Sequence, residues 1–170
     1  MTSPRVLVLM RHAKAERYAA TDHERALEPR GRRDAEAAGS WLARHEIDVD
    51  YALVSSAVRG VGTWEALADT AEFDIEPDIE SSLYAGGPDT ALDVIRSLPE
   101  EAETVLVIGH NPTVASLAQL LDDSEGDDEA IAEMSLGFPA GALCVFEYDG
   151  AWDDLDHGTA RVTGFYNGKS

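Results

Sequence analysis

Two histidines and two arginines in this chain are spaced so that they could act together on one phosphoryl group. His12 and Arg11 follow the apolar run Val6-Leu7-Val8-Leu9-Met10, and His110 follows a second run, Val105-Leu106-Val107-Ile108-Gly109. Between them Tyr51-Ala52-Leu53-Val54 leads through Ser55-Ser56 to Arg59. A neutral imidazole can attack phosphorus, and an unperturbed pKa of about 6.5 leaves much of a histidine neutral at cellular pH. A phosphoryl group in transfer spreads charge over its equatorial oxygens, which guanidinium forks bind through paired hydrogen bonds. These residue types predict His12 as the nucleophile, Arg11 and Arg59 as the clamp, and His110 as a further donor. Each alone has a plainer reading, as a turn residue, a helix cap or a surface ion pair; the argument rests on their joint occurrence. No Asp-rich or His/Cys spacing points to a metal, so the expected chemistry uses neither metal nor cofactor.

The elements needed to bring these four residues together can be read from periodicity. Three apolar runs, each ending beside a candidate residue, read as strands, and ligands in open α/β sheets gather outside the carboxyl ends of such strands. Helical spacing follows in each gap. After Pro29, Ala35, Ala38 and Leu42 recur at helical spacing; between Ala57 and Ala71, Val61, Trp64, Leu67, Ala68 and Ala71 form one face, weakened by Gly60 and Gly62. Leu92, Ile95 and Leu98 follow Pro88-Asp89, and Val114, Leu117, Ala118 and Leu121 follow Asn111-Pro112, a proline suited to a first helical turn. Leu143-Cys144-Val145-Phe146 and Ala160 to Phe165 read as a closing antiparallel strand pair joined through Asp149-Gly150-Ala151-Trp152. The expected fold is α/β: a three-layer sandwich with a mostly parallel central sheet, helices on both faces and an antiparallel C-terminal pair.

Composition narrows the class. The 170 residues suit one domain spanning 1–170, and a 44% hydrophobic content is enough to fill its core. No apolar stretch approaches the roughly 20 residues needed to cross a membrane, and no signal-like leader opens the chain, which predicts a soluble cytoplasmic protein without membrane partners. Thirty-three acidic residues against thirteen basic ones give a net charge of -20, which disfavours nucleic acid as a partner. Salt screens that field beyond about 8 Å, so a local arginine cluster can still hold phosphate. Cys144, the only cysteine, lies in an apolar run and reads as a core thiol. The patch Asp122 to Glu129 reads as a solvated acidic loop.

Four segments together resemble the histidine phosphatase superfamily, with its phosphoglycerate mutase-like fold: Leu9-Met10-Arg11-His12-Ala13; Arg25-Ala26-Leu27 with Arg30-Gly31; Ser55-Ser56-Ala57-Val58-Arg59; and Ile108-Gly109-His110-Asn111-Pro112. Within it the set is similar to the SixA-type phosphohistidine phosphatases, over about Val6 to Phe165. The resemblance implies that His12 is phosphorylated and that Arg11, Arg59 and His110 form the phosphate pocket. It gives Arg25 a recurrent position, in the pocket or as a loop anchor, where a plain surface charge is an equal alternative. Ala13 stands where glycine is common in the wider superfamily, and Gly60 and Gly62 are expected to loosen the Arg59 segment.

The acidic proton donor of many relatives has no clear counterpart, Glu80 being the nearest candidate. An alkoxide leaving group needs that proton more than an imidazole does, so the expected substrate is phosphohistidine on a protein, with a role in signal transduction. The alternatives are a phosphatase of small phosphate monoesters using the same site, and a phosphohistidine-binding module without turnover. With only short segments available to form a lid, mutase chemistry is disfavoured.

Overall fold

The first apolar run forms strand β1 (Arg5–Arg11), whose side chains divide between two cores. In the computed structural model, which describes residues 3–168, Leu7 and Leu9 enter one core and Val8 and Met10 the other. A strand covered on both faces needs apolar groups at every position, which explains the continuous run. The same holds for β2 (Tyr51–Ser55), while the short β3 (Asp78–Glu80) lies at the sheet edge, and β4 (Thr104–Gly109) is buried in the middle. β5 (Leu143–Tyr148) and β6 (Arg161–Tyr166) complete a six-stranded sheet ordered β3-β2-β4-β1-β5-β6. The first four strands are parallel, whereas β5 runs antiparallel to both β1 and β6, which gives the closing pair read from the sequence.

Helices form the outer layers. Ala38 and Leu42 of α1 (Pro29–Arg44) and Trp64 and Leu67 of α2 (Val58–Ala71) close the core on one face. The other face is covered by α3 (Ser81–Ala85), α4 (Pro88–Arg96), α5 (Thr113–Leu121) and α6 (Asp128–Ser135). Cys144 is fully buried there, and burial pushes its thiol pKa up, as a core thiol requires. No helix among the described residues is long and apolar enough to cross a membrane.

Three expectations need correction. The acidic patch is not loop throughout: Asp127 caps α6 by accepting a hydrogen bond from the Ala130 amide, and Asp128 and Glu129 occupy its first turn, where negative charge favours the helix dipole. Pro112 precedes α5 as its N-cap rather than entering its first turn. Gly60 does not loosen the Arg59 segment. A Cβ there would lie 2.9 Å from the Ser55 carbonyl oxygen, so the glycine lets α2 settle directly on the end of β2.

Candidate active site

The three candidate strand ends lie side by side because β4 sits between β1 and β2. Arg11 pairs with Gly109 across β1 and β4, Val54 pairs with Ile108 across β2 and β4, and the His12 amide donates to the Gly109 carbonyl at 3.0 Å. The chain therefore releases His12, His110 and the Ser55-to-Arg59 turn at one level. Arg11, His12, Arg59 and His110 all line one cavity of about 300 Å³, together with Lys14, Arg25 and Asn111. Among the described residues four cations and no carboxylate line this space, despite the chain's large negative charge.

His12 is 9% exposed, and its Nδ1 lies 2.7 Å from the Ala13 carbonyl oxygen. A carbonyl only accepts, so Nδ1 carries the proton and the neutral ring presents its lone pair at Nε2. Burial, with the charges of Arg59 and Arg11 nearby, holds the His12 pKa down at about 3, keeping the ring neutral at ordinary pH. The Ala13 amide donates to Thr63 Oγ1, and that hydroxyl donates to the Arg59 carbonyl, tying the His12 turn to α2. The His110 ring centroid lies 4.9 Å from that of His12, and Ser55 Oγ holds His110 Nε2 at 2.6 Å. Burial and Arg59 lower the His110 pKa to about 4. His110 Nδ1 is buried without a protein partner, as are Nε of Arg11 and Nε of Arg59. Three polar nitrogens on groups lining one cavity thus lack a partner within the protein.

The family model described as histidine phosphatase superfamily, branch 1, matches residues 7–83. A solved structure, reported as "Putative Phosphohistidine Phosphatase SixA from Nakamurella multipartitia", is 35% identical and superposes with a TM-score of 0.85 over 97% of this chain and 96% of that one. This chain belongs to the histidine phosphatase superfamily. An uncharacterised protein of Mycobacterium tuberculosis is 38% identical over 92% of this chain and 98% of its own length. The protein histidine phosphatase SixA complexed with tungstate, at 22% identity, shares the fold, with a TM-score of 0.78 over 96% of this chain and 97% of its own.

In this histidine phosphatase, the arginines are held by the backbone and by one carboxylate. Arg11 Nη1 donates to the Phe138 carbonyl at 3.0 Å, and Asn111 Nδ2 donates to the same oxygen at 2.9 Å. Arg59, 5% exposed, donates from Nη1 to the Asp22 carbonyl at 2.8 Å and from Nη2 to Asp22 Oδ2 at 3.0 Å. Arg25 combines two of the roles left open for it: it lines the cavity, and it anchors its loop by donating to Asp22 Oδ1 and the Glu16 carbonyl. Gly31 sets where that loop meets α1, since a Cβ there would lie 2.0 Å from the Lys14 carbonyl oxygen.

Glu80 does not reach the site. Its side chain lines a separate cavity with Tyr51, Leu53 and Asp78, so the weak acid candidate is withdrawn. Sequence reasoning assigned no role to Asp22, His23, Ser55, Thr63 or Tyr84. The spacing Asp22-x-x-Arg25 was the one signal available for an ion pair in that loop. A roomier groove of about 510 Å³ near Trp41 and Phe165 is lined by Asp127, Glu129, Glu133 and Glu147 and, among the described residues, by no Arg or Lys, a lining that disfavours an anion. Among the described residues no three His, Cys, Asp or Glu side chains cluster closely enough to hold a metal.

Proposed function

We propose that this histidine phosphatase hydrolyses phosphohistidine on a partner protein through a covalent phospho-His12 intermediate. The observation that carries this reading is a cavity in which a neutral, oriented imidazole and four cations meet without any carboxylic acid. In the first step His12 Nε2 forms a bond to phosphorus as the substrate's N–P bond breaks, and the substrate ring, already protonated at its other nitrogen, departs as neutral imidazole. Water then attacks phospho-His12, the Nε2–P bond breaks, and inorganic phosphate and neutral His12 result. Arg11 and Arg59 neutralise the equatorial oxygens, and His110 assists as a donor while the Ser55 hydroxyl serves its Nε2.

The substrate class follows from the missing acid. With a pKa of about 6.5, an imidazole ring is readily protonated at its free nitrogen near neutrality and then leaves as neutral imidazole, a far weaker base than an alkoxide. Asp22, the carboxylate that pairs with Arg59, is a poor donor, because its hydrogen bonds to Tyr84 and Arg59 hold its pKa well below the usual carboxylate range. In this reading the protein acts in the cytoplasm on a phosphorylated histidine-containing partner and opposes a phosphosignal.

Side-by-side kcat/KM values on a phosphohistidine-bearing protein and on small phosphate monoesters test the assignment. A preference for the phosphoprotein supports it. A large preference for an ester transfers the same site to metabolite hydrolysis, and tight phosphoprotein binding without release marks a non-catalytic module.

A further inference from the structure

The Asp22 carboxylate occupies an unusual place for an acid in a phosphatase. It accepts from Arg59 Nη2 at 3.0 Å, from Arg25 Nε at 3.0 Å and from the Tyr84 hydroxyl at 2.7 Å, while its own backbone carbonyl takes Arg59 Nη1. Two of the four cations lining the cavity therefore already hold one anion, from a side chain about half exposed at the cavity's edge. Tyr84 reaches it from α3, with its ring edge-on to His23 and to His110 at centroid distances of 4.8 and 5.6 Å and 5.8 Å from the Arg59 guanidinium carbon.

We propose that Asp22 is a positioning residue that also competes with phosphate for Arg59, and that the Tyr84 hydroxyl sets how strongly it competes. A pocket of four arginine and lysine side chains without a counter-charge would hold product phosphate, a mixture of mono- and dianion at neutral pH, tightly enough to slow turnover. Asp22 orients the guanidinium through both terminal nitrogens, its carboxylate taking Nη2 and its backbone carbonyl Nη1, and Nε is left without a protein partner. It also weakens the field that phosphate experiences, and that effect is moderated by solvent because Asp22 is partly exposed. The Tyr84 O–H withdraws part of the carboxylate's charge from Arg59, so its loss should strengthen the competition. The inference rests on this cavity being the phosphate site and is independent of which phosphorylated substrate the enzyme uses.

Calorimetric titration of the full chain with inorganic phosphate tests it, alongside the phosphate inhibition constant in turnover. Asp22→Asn is expected to bind phosphate about tenfold more tightly, because a formal charge is removed next to Arg59. Tyr84→Phe, which keeps the ring that packs on His23 and His110, is expected to bind it about two- to threefold more weakly. The opposite signs are the signature. A carboxylate that only held Arg59 in place would make both variants bind more weakly, and that result, or unchanged affinity in Asp22→Asn, overturns the proposal. Wild-type phosphate affinity surviving in Arg59→Ala would instead show that phosphate binds elsewhere, and would overturn the reading of the site together with this inference.

Discussion

Replacing Gly60 with alanine separates what helix propensity alone predicts from what the packing of α2 predicts. By propensity the change should stabilise an α-helix interior by about 1 kcal/mol. The added Cβ, however, would lie 2.9 Å from the Ser55 carbonyl oxygen and 3.2 Å from Ser55 Cβ, and a backbone atom at the end of β2 cannot step aside as a flexible side chain can. Overpacking of this kind costs about 1–3 kcal/mol, so Gly60→Ala should be destabilised by about 1 kcal/mol net, a fall in Tm of about 2–4 °C for a chain of this length. Arg59 and the Ser55–His110 pair lie on either side of the contact, so a shift of a few tenths of an ångström should also reduce kcat/KM by about fivefold. Gly62→Ala is the internal control: its Cβ would meet only the half-buried Leu27 side chain, at 3.3 Å, so that variant should gain about 0.5 kcal/mol and keep its activity. Thermal unfolding and steady-state kinetics of the two variants decide the matter. A Tm for Gly60→Ala at or above that of the wild type would refute the packing argument.

Two further outcomes follow from the site. Ser55→Ala removes the hydrogen bond that orients His110 and should lower kcat/KM by about tenfold, measured under conditions where the variant is fully folded; unchanged kinetics would remove Ser55 from the site. His12 and His110 have folded-state pKa values of about 3 and about 4 against an ordinary 6.5, so between these limits the unfolded chain binds more protons. Their contribution to stability is therefore fully present above about pH 6.5 and is lost as the pH falls toward 4. Denaturant titrations across that window should show a smaller acid loss in His110→Gln than in the wild type, and equal losses would contradict the burial argument.

The strand ends were legible because parallel strands covered on both faces leave continuous apolar runs, so the positions of Arg11, Ser55 and Gly109 could be read directly from the chain. That these ends are neighbours was less visible, since β4 inserts between β1 and β2 and no local signal encodes that order. Glu80 pairs with Ser55 in the sheet, yet on the edge strand it lines the cavity of Tyr51, Leu53 and Asp78, and no local pattern encodes that placement. Asp22 and Tyr84 were hidden for another reason. They meet across 62 positions in a chain with 33 acidic residues, where one carboxylate carries no distinguishing pattern. Gly60 was misread because propensity describes an isolated helix, whereas its role is set by the strand end beneath it.

The central claim is that His12 Nε2 carries the phosphoryl group during turnover. Brief exposure of the enzyme to labelled phosphohistidine protein, followed by a rapid quench and peptide mapping, tests it most directly. The predicted result is one label on His12, stable in base and lost in acid, and absent from His12→Ala, which also releases no phosphate. An acid-stable label, or phosphate release by His12→Ala at the wild-type rate, would contradict it.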